Sequence, residues 1–302
     1  MNEKLTSSIE TEEQSYKIVD IYDKFAKTED GAEMAGKLRW DRYRPDNVSK
    51  EEWEKIFGAD VNNLKHLKLT YGLTRAFISY SEALELTEDE KEDLLLAAII
   101  HDYAEAVVGD ISYEHKTEDD ETAEYEALKR QLRNLYGNDQ ELLDRAVRVL
   151  DTVIRDRNTR LGMVFNAIER VGYVRTGLKA WDHSKTTPDD FRINLEWMAN
   201  NSFIFQIKKL IEYSKKYLAV KKFLLQNQDR ISDAFDNISD ESFEKYDEEN
   251  EKKIEAGEET GKSGAGYKAE FEQVKKLALD YSMNFRELNQ DIRNQIKKLF
   301  SS

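Results

Sequence analysis

Ile99-Ile100-His101-Asp102-Tyr103-Ala104-Glu105-Ala106-Val107-Val108-Gly109-Asp110 is the stretch around which the rest of the chain is organised. It begins where the apolar run Leu94-Leu95-Leu96-Ala97-Ala98-Ile99-Ile100 reaches a His-Asp pair. Upstream, Thr87-Glu88-Asp89-Glu90 has the form of a capping box, so the run is expected to be a helix that starts there. Adjacent His and Asp offer one imidazole nitrogen and one carboxylate oxygen to the same point in space, which suits a divalent metal of intermediate hardness. Glu105 follows four residues after His101 and three after Asp102, so on a continuing helix the three share a face. A carboxylate there would sit beside the metal without holding it. Packing alone gives no reason for an apolar helix to end in four polar functional residues.

Composition narrows the field. There is no Cys among the 302 residues, which excludes disulfides, thiolate metal sites and Cys nucleophiles. No apolar run approaches the ~18–20 residues of a membrane span. Met1-Asn2-Glu3-Lys4 leads into polar residues rather than a signal-peptide core, so the expectation is a cytoplasmic protein with no membrane partner. Two prolines, thirteen glycines and 35% charged residues point to a mostly helical chain. A net charge of −15 argues against extended binding to a nucleic-acid backbone. A small phosphate ester needs only a few local cations and stays open. With only His66, His101, His115 and His183 in the chain, a metal site is easy to search for.

Working outward, residues 1–10 read as a tail, and Glu12 to Phe25 carries apolar residues at helical spacing. Gly31 and Gly36 are read as bracketing a break. Lys37-Leu38-Arg39-Trp40-Asp41-Arg42-Tyr43-Arg44-Pro45 is then a basic, aromatic segment in an acidic protein. It is either a surface loop with its aromatics tucked inwards or a supply of arginine for an anionic substrate. Asn62 or Asn63 caps a helix expected to run to about Leu84, with His66 in its first turns. Further helices are expected over Glu118–Tyr136, from Glu141 to about Arg155, over 160–181 and from Phe191 to Leu225. The acidic stretch Asp229–Glu259 is sparse in large apolar groups, 257–266 reads as a flexible linker, and Tyr267–Phe300 closes as an amphipathic helix.

His66 and His101 fall on consecutive helices that a short turn makes antiparallel neighbours, so their imidazoles can converge. A histidine, then His-Asp, then a late carboxylate resembles the pattern of HD-domain metal-dependent phosphohydrolases. Within that superfamily, His101, Asp102, Glu105, Gly109, Asp110 and Lys116 look most like the bacterial HD-type 5′-deoxynucleotidases. Glu121, Glu124 and Ala127 downstream are also similar, and the likeness covers roughly residues 37–182.

The resemblance implies that His66, His101, Asp102 and a final acidic residue hold one divalent ion, Mn, Co, Fe or Mg. Where the family has an Asp, this chain has Asn166-Ala167-Ile168-Glu169-Arg170-Val171, which makes Glu169 the candidate. Asp151, Asp156 and the pair Asp182-His183 are fallback ligands. Glu105 is implied in proton transfer, Asp110 in orienting water or substrate, and Lys116 in offsetting phosphate charge. Arg39-Trp40 matches the family's phosphate-contacting Arg-Trp, although it stands 27 positions (66 − 39) before His66, and an insertion around Glu51–Asp60 would account for that. Arg42 and Arg44 are rivals for the same role. His115 beside Lys116 reads as a surface histidine.

Gly257-Glu258-Glu259-Thr260-Gly261-Lys262-Ser263 has three residues between its glycines where a phosphate-binding P-loop needs four, and no apolar strand precedes it. It is read as linker. Lys208-Lys209 and Lys221-Lys222 are read as solvated faces, and Trp181, Trp197, Tyr213 and Phe223 as core. The expected architecture is all-α: an N-terminal tail and helix over 1–36, an HD-type helical bundle over 37–225, and a charged helical extension over 226–302. The expected activity is hydrolysis of nucleotide phosphate esters, most simply deoxynucleoside 5′-monophosphates. Rivals are a nucleoside triphosphohydrolase, a phosphodiesterase, or a catalytically degenerate module that binds a nucleotide or a protein. The partner expectations are a small nucleotide and, for assembly, a homodimer.

Overall fold

The computed structural model describes residues 18–58, 62–80, 85–108 and 117–299. It is all-α: the described residues form helices and their connections, with no strand and one isolated bridge between Leu38 and Asn62. No helix among them is long and apolar enough to cross a membrane. The chain divides into two compact units. The first comprises the residues up to Asp41 together with Lys50–Gly172, and the second Arg42–Ser49 together with Tyr173 onward. The expected segments, with divisions after residues 36 and 225, follow different lines. Helix Asp189–Ser214, expected to belong with 37–225, packs in the second unit on Leu218–Gln226, Glu241–Ala256 and Gly264–Leu299.

In the first unit the central pair is Asn63–Ile78 against Glu88–Ile100. Both helices begin with a side chain that takes up free amide hydrogens. Asn62 accepts from the Lys65 N–H, and Thr87 with Glu90 forms the reciprocal capping box. From Leu94 to Ile100 the second helix is buried nearly all round, with Leu94, Ala97, Ala98 and Ile100 fully enclosed. Burying a leucine or isoleucine side chain contributes roughly 1.5–3 kcal/mol, so this segment anchors the unit. Its opening half is fixed by charge instead. Buried Asp93 accepts from Arg145 Nε at 2.9 Å and from Arg148 Nη1 at 2.5 Å, while Glu92 accepts from Arg145 Nη1 at 2.5 Å.

Sequence spacing and structure agree on Glu118–Tyr136, which starts at a Thr117–Asp120 capping box and stops at Gly137. Elsewhere they differ for identifiable reasons. Glu29–Gly36 is a helix, not a break, because the Thr28 hydroxyl accepts from the Gly31 N–H and starts it. Gly31 serves close approach there, since a Cβ would meet the Phe25 carbonyl oxygen at 2.2 Å. The Asn63 helix ends at Ile78, short of Leu84. The helix after Asp139 is α-helical only to Val149 and continues as a π-helical turn over Leu150–Arg155. The 191–225 pattern is two helices, Asp189–Ser214 and Leu218–Gln226.

In the second unit Phe203, Phe235, Phe243 and Phe271 pack together, and Tyr246 stacks on Tyr267 with ring centroids 4.1 Å apart. The acidic stretch folds as Gln228–Asn237 and Glu241–Ala256. The P-loop look-alike is a connection between helices. Gly257 ends one helix with φ of 74°, Asn250 holds Gly261 N and Lys262 O, and Asp247 accepts from Gly264 N at 2.9 Å. Trp181, Trp197 and Tyr213 are buried, as expected of core residues.

Candidate metal centre

The central helix pair brings the two histidines together from opposite ends. His66 lies in the first turn of Asn63–Ile78, and His101 is the residue that closes Glu88–Ile100, its N–H donating to Ala97 O at 3.0 Å. Asp102 stands in the turn that follows. Tyr103 fixes that turn from behind, fully buried and stacked on Phe25 with centroids 3.6 Å apart.

The three side chains meet at one oxygen. Asp102 Oδ2 lies 3.1 Å from His101 Nε2 and 3.6 Å from His66 Nε2, and the two imidazole centroids are 5.4 Å apart. One ligand atom from each residue lies within 4.8 Å of the others. Among the described residues this is the one such group of His, Asp or Glu. The His101 tautomer follows from its second nitrogen. Nδ1 is 3.2 Å from the Ala98 carbonyl oxygen, which can only accept, so Nδ1 carries a proton and Nε2 is the nitrogen that faces Asp102. A backbone carbonyl on the far nitrogen is the usual way a protein orients a metal-binding imidazole. His66 Nε2 also lies 3.2 Å from Thr70 Oγ1, one turn along its helix.

Electrostatics sharpen the site. Burial pushes the Asp102 carboxyl up, but His101 by charge and hydrogen bond, with His66 and Arg39, holds it well below the usual carboxylate range. Burial pushes His101 down, yet the charge and hydrogen bond of Asp102, helped by Glu169, leave it raised. Glu169 is raised chiefly by burial and further by Asp102, against the pull of His101, Arg157 and Arg170. Carboxylate and imidazole thus hold each other charged, and a divalent cation would replace the imidazole proton as the partner of Asp102.

The other expected residues fall as follows. Arg39 is buried, with Nη1 3.5 Å from Asp102 Oδ2. Its guanidinium lies 5.1 Å from the centre of the Trp40 ring. The rivals lie in the second unit, where Arg42 packs on Tyr43 and Arg44 Nη1 donates to Val48 O at 2.6 Å. Glu105 opens the short helix Glu105–Val108, and its Oε2 accepts from Asn63 Nδ2 at 2.7 Å. Glu169 is partly buried and electrostatically coupled to His101 and Asp102, but it is not one of the three converging groups. Of the fallback ligands, Asp151 accepts from the Tyr125 hydroxyl, Asp156 from Asn158 N, and Asp182 pairs with Arg230. His183 closes the Arg160–Ser184 helix. Asp110, His115 and Lys116 lie outside the described residues, as does Gly109.

Three contributors escaped the sequence reading. Asn63 read only as a helix start, yet its side chain is almost wholly buried and grips Glu105. Thr70 carried a weak signal, its i+4 spacing from His66. Lys37 donates to the carbonyls of Glu105 and Ala106 at 3.1 and 3.4 Å, which ties the segment before Arg39 to the Glu105 helix.

No protein-family model, curated protein or solved structure matches this chain. The chemistry of the donor set is the test of what it holds. Two imidazole nitrogens and one ionised carboxylate oxygen on rigid elements fit a borderline divalent cation, and the group could hold one.

Proposed function

We propose that this chain is an HD-type metal-dependent phosphohydrolase acting on nucleotides, with 5′-nucleotidase activity on deoxynucleoside 5′-monophosphates as its main reaction. The observation that carries the reading is the meeting of His66, His101 and Asp102 at one carboxylate oxygen. Support comes also from Glu105, held by Asn63 of the His66 helix, and from the buried Arg39, which faces Asp102. Water and the monoester give nucleoside and inorganic phosphate, and no covalent enzyme intermediate is needed.

His66, His101 and Asp102 would hold the ion, with Glu169 as the fourth ligand, supported by its electrostatic coupling to His101 and Asp102. When bound, the ion supplies Lewis acidity towards a phosphoryl oxygen and acidifies water. Glu105 exchanges a proton with water or with the leaving oxygen, and Asn63 holds its carboxylate in place. Arg39, with Trp40, offsets phosphate charge, and Lys116 and Asp110 complete the set by the family resemblance.

Glu169, standing outside the three converging groups, favours a second reading: a module that binds a nucleotide through the same pocket without turning it over. A phosphate-release screen separates the two. Chelated full-length protein is given Mn²⁺, Co²⁺, Mg²⁺ or Fe²⁺ and a panel of nucleoside mono- and triphosphates. Phosphate release from deoxynucleoside monophosphates supports the main reading. Nucleotide binding with no release under any metal moves the assignment to the binding module.

A further inference from the structure

Asp102 Oδ2 is a crowded atom. Besides the two imidazoles, it faces Arg39 Nη1 at 3.5 Å, closer than His66 at 3.6 Å. A fixed guanidinium therefore already stands beside the carboxylate, and unlike an imidazole it cannot give up its charge. We propose that Arg39 is the resident counter-cation of Asp102 and sets the metal affinity of the His66–His101–Asp102 site by opposing an incoming divalent ion. The proposal rests on the metal reading above and deepens it.

The position of Arg39 is built into the fold. Its side chain is 6% exposed. Two residues before it, the Lys37 carbonyl accepts from the Asn63 N–H at 3.3 Å, and the Arg39 carbonyl accepts from Trp53 Nε1 at 3.1 Å. Trp53 is itself fully buried. The next residue, Trp40, takes φ of 63°, a region that bulky side chains rarely adopt and that costs of order 1–3 kcal/mol. Backbone strain and two hydrogen bonds thus hold one arginine in the interior, where a guanidinium cannot lose its charge. Removing such a charge from water is costly unless an anion answers it, and Asp102 provides that answer.

A divalent ion at Asp102 would share the carboxylate with the guanidinium and be repelled by it through a poorly screened interior. Losing the charge should tighten the metal; keeping it on a different side chain should not. The opposite expectation holds if Arg39 is a structural strut, because then any substitution loosens the site.

The experiment is a calorimetric titration of chelated full-length protein with Mn²⁺ at fixed pH, with thermal melts alongside. Wild type is compared with Arg39→Gln, Arg39→Met and Arg39→Lys, where Met keeps the apolar stem without the charge. The expected result is a Kd ~10-fold or more tighter for Gln and Met, with Lys within ~3-fold of wild type. Wild type that binds Mn²⁺, with folded Gln and Met variants that bind no more tightly, would overturn this proposal and leave the metal reading standing. Mn²⁺ taken up by none of the four proteins would overturn both.

Discussion

Helix Glu88–Ile100 serves two charged clusters, one near its start and one just past its end. At the start, Glu92 and Asp93 meet Arg145 and Arg148, two carboxylates for two guanidinium groups. Past the end, one carboxylate, Asp102, meets two imidazoles and one guanidinium. The first cluster is balanced, each carboxylate facing a guanidinium. It is a clamp. The second gathers imidazole nitrogens, whose protons can give way to a metal ion. Buried charge alone therefore does not mark a site; exchangeable partners around a carboxylate do.

Substitutions should separate the two clusters by what they change. The largest effect belongs to Glu105→Gln, expected to lower phosphate release by ~10²–10⁴-fold while metal content and melting temperature stay as in wild type. Equal loss of metal in this variant would make Glu105 a ligand and redraw the site. Asp93→Ala should do the reverse, costing about 2–3 kcal/mol in denaturant unfolding because Arg145 and Arg148 lose the buried carboxylate they share. Its Mn²⁺ affinity, measured below the unfolding transition, should not move. A large change there would mean that clamp and site are one network.

Glu169→Gln is a finer probe. If Glu169 completes the site, metal affinity should fall ~10-fold, with Glu169→Asp keeping partial occupancy. If it only pairs with neighbours such as Arg157 or Arg170, neither substitution should register in the calorimeter.

The smallest effect is a pH trend. The raised His101 pairs with Asp102 in the metal-free protein, so its stabilisation is full below the unfolded imidazole value of 6.5 and is lost as pH rises through the higher folded value. Asp102, held low, contributes above the unfolded carboxylate value of 3.8 and loses its contribution as pH falls through the depressed one. Metal needs the neutral imidazole, so the melting-temperature gain from Mn²⁺ should grow between about pH 6 and about pH 8. A gain that is flat over that range in wild type would remove His101 from the ligand set.

What could be read in the chain was what is local. Thr87 with Glu90 and Thr117 with Asp120 spell out helix starts within four residues, and both appear as capping boxes. The convergence of His66 and His101 needed only two consecutive helices packed side by side. Less legible were features that depend on distant partners. Gly31 suggests a break until the Phe25 carbonyl is known to lie against it. Asn63 is a cap-like residue until Glu105, 42 positions away, comes within 2.7 Å. The π-helical turn at Leu150–Arg155 and the three-residue gap between Asp189–Ser214 and Leu218–Gln226 leave no sign in apolar spacing. The arginine nearest Asp102 could not be chosen among Arg39, Arg42 and Arg44 by spacing, because the choice is made by how Trp53 and Asn63 hold the backbone.

The central claim, that His66, His101 and Asp102 form a metal site, is tested most directly by titrating chelated full-length protein with Mn²⁺ and Co²⁺ beside His101→Ala. The account predicts about one ion per chain in wild type and at least ~10-fold weaker binding in the variant, each measured below its own unfolding transition. No uptake of either ion by wild type, or equal uptake by His101→Ala, would contradict it.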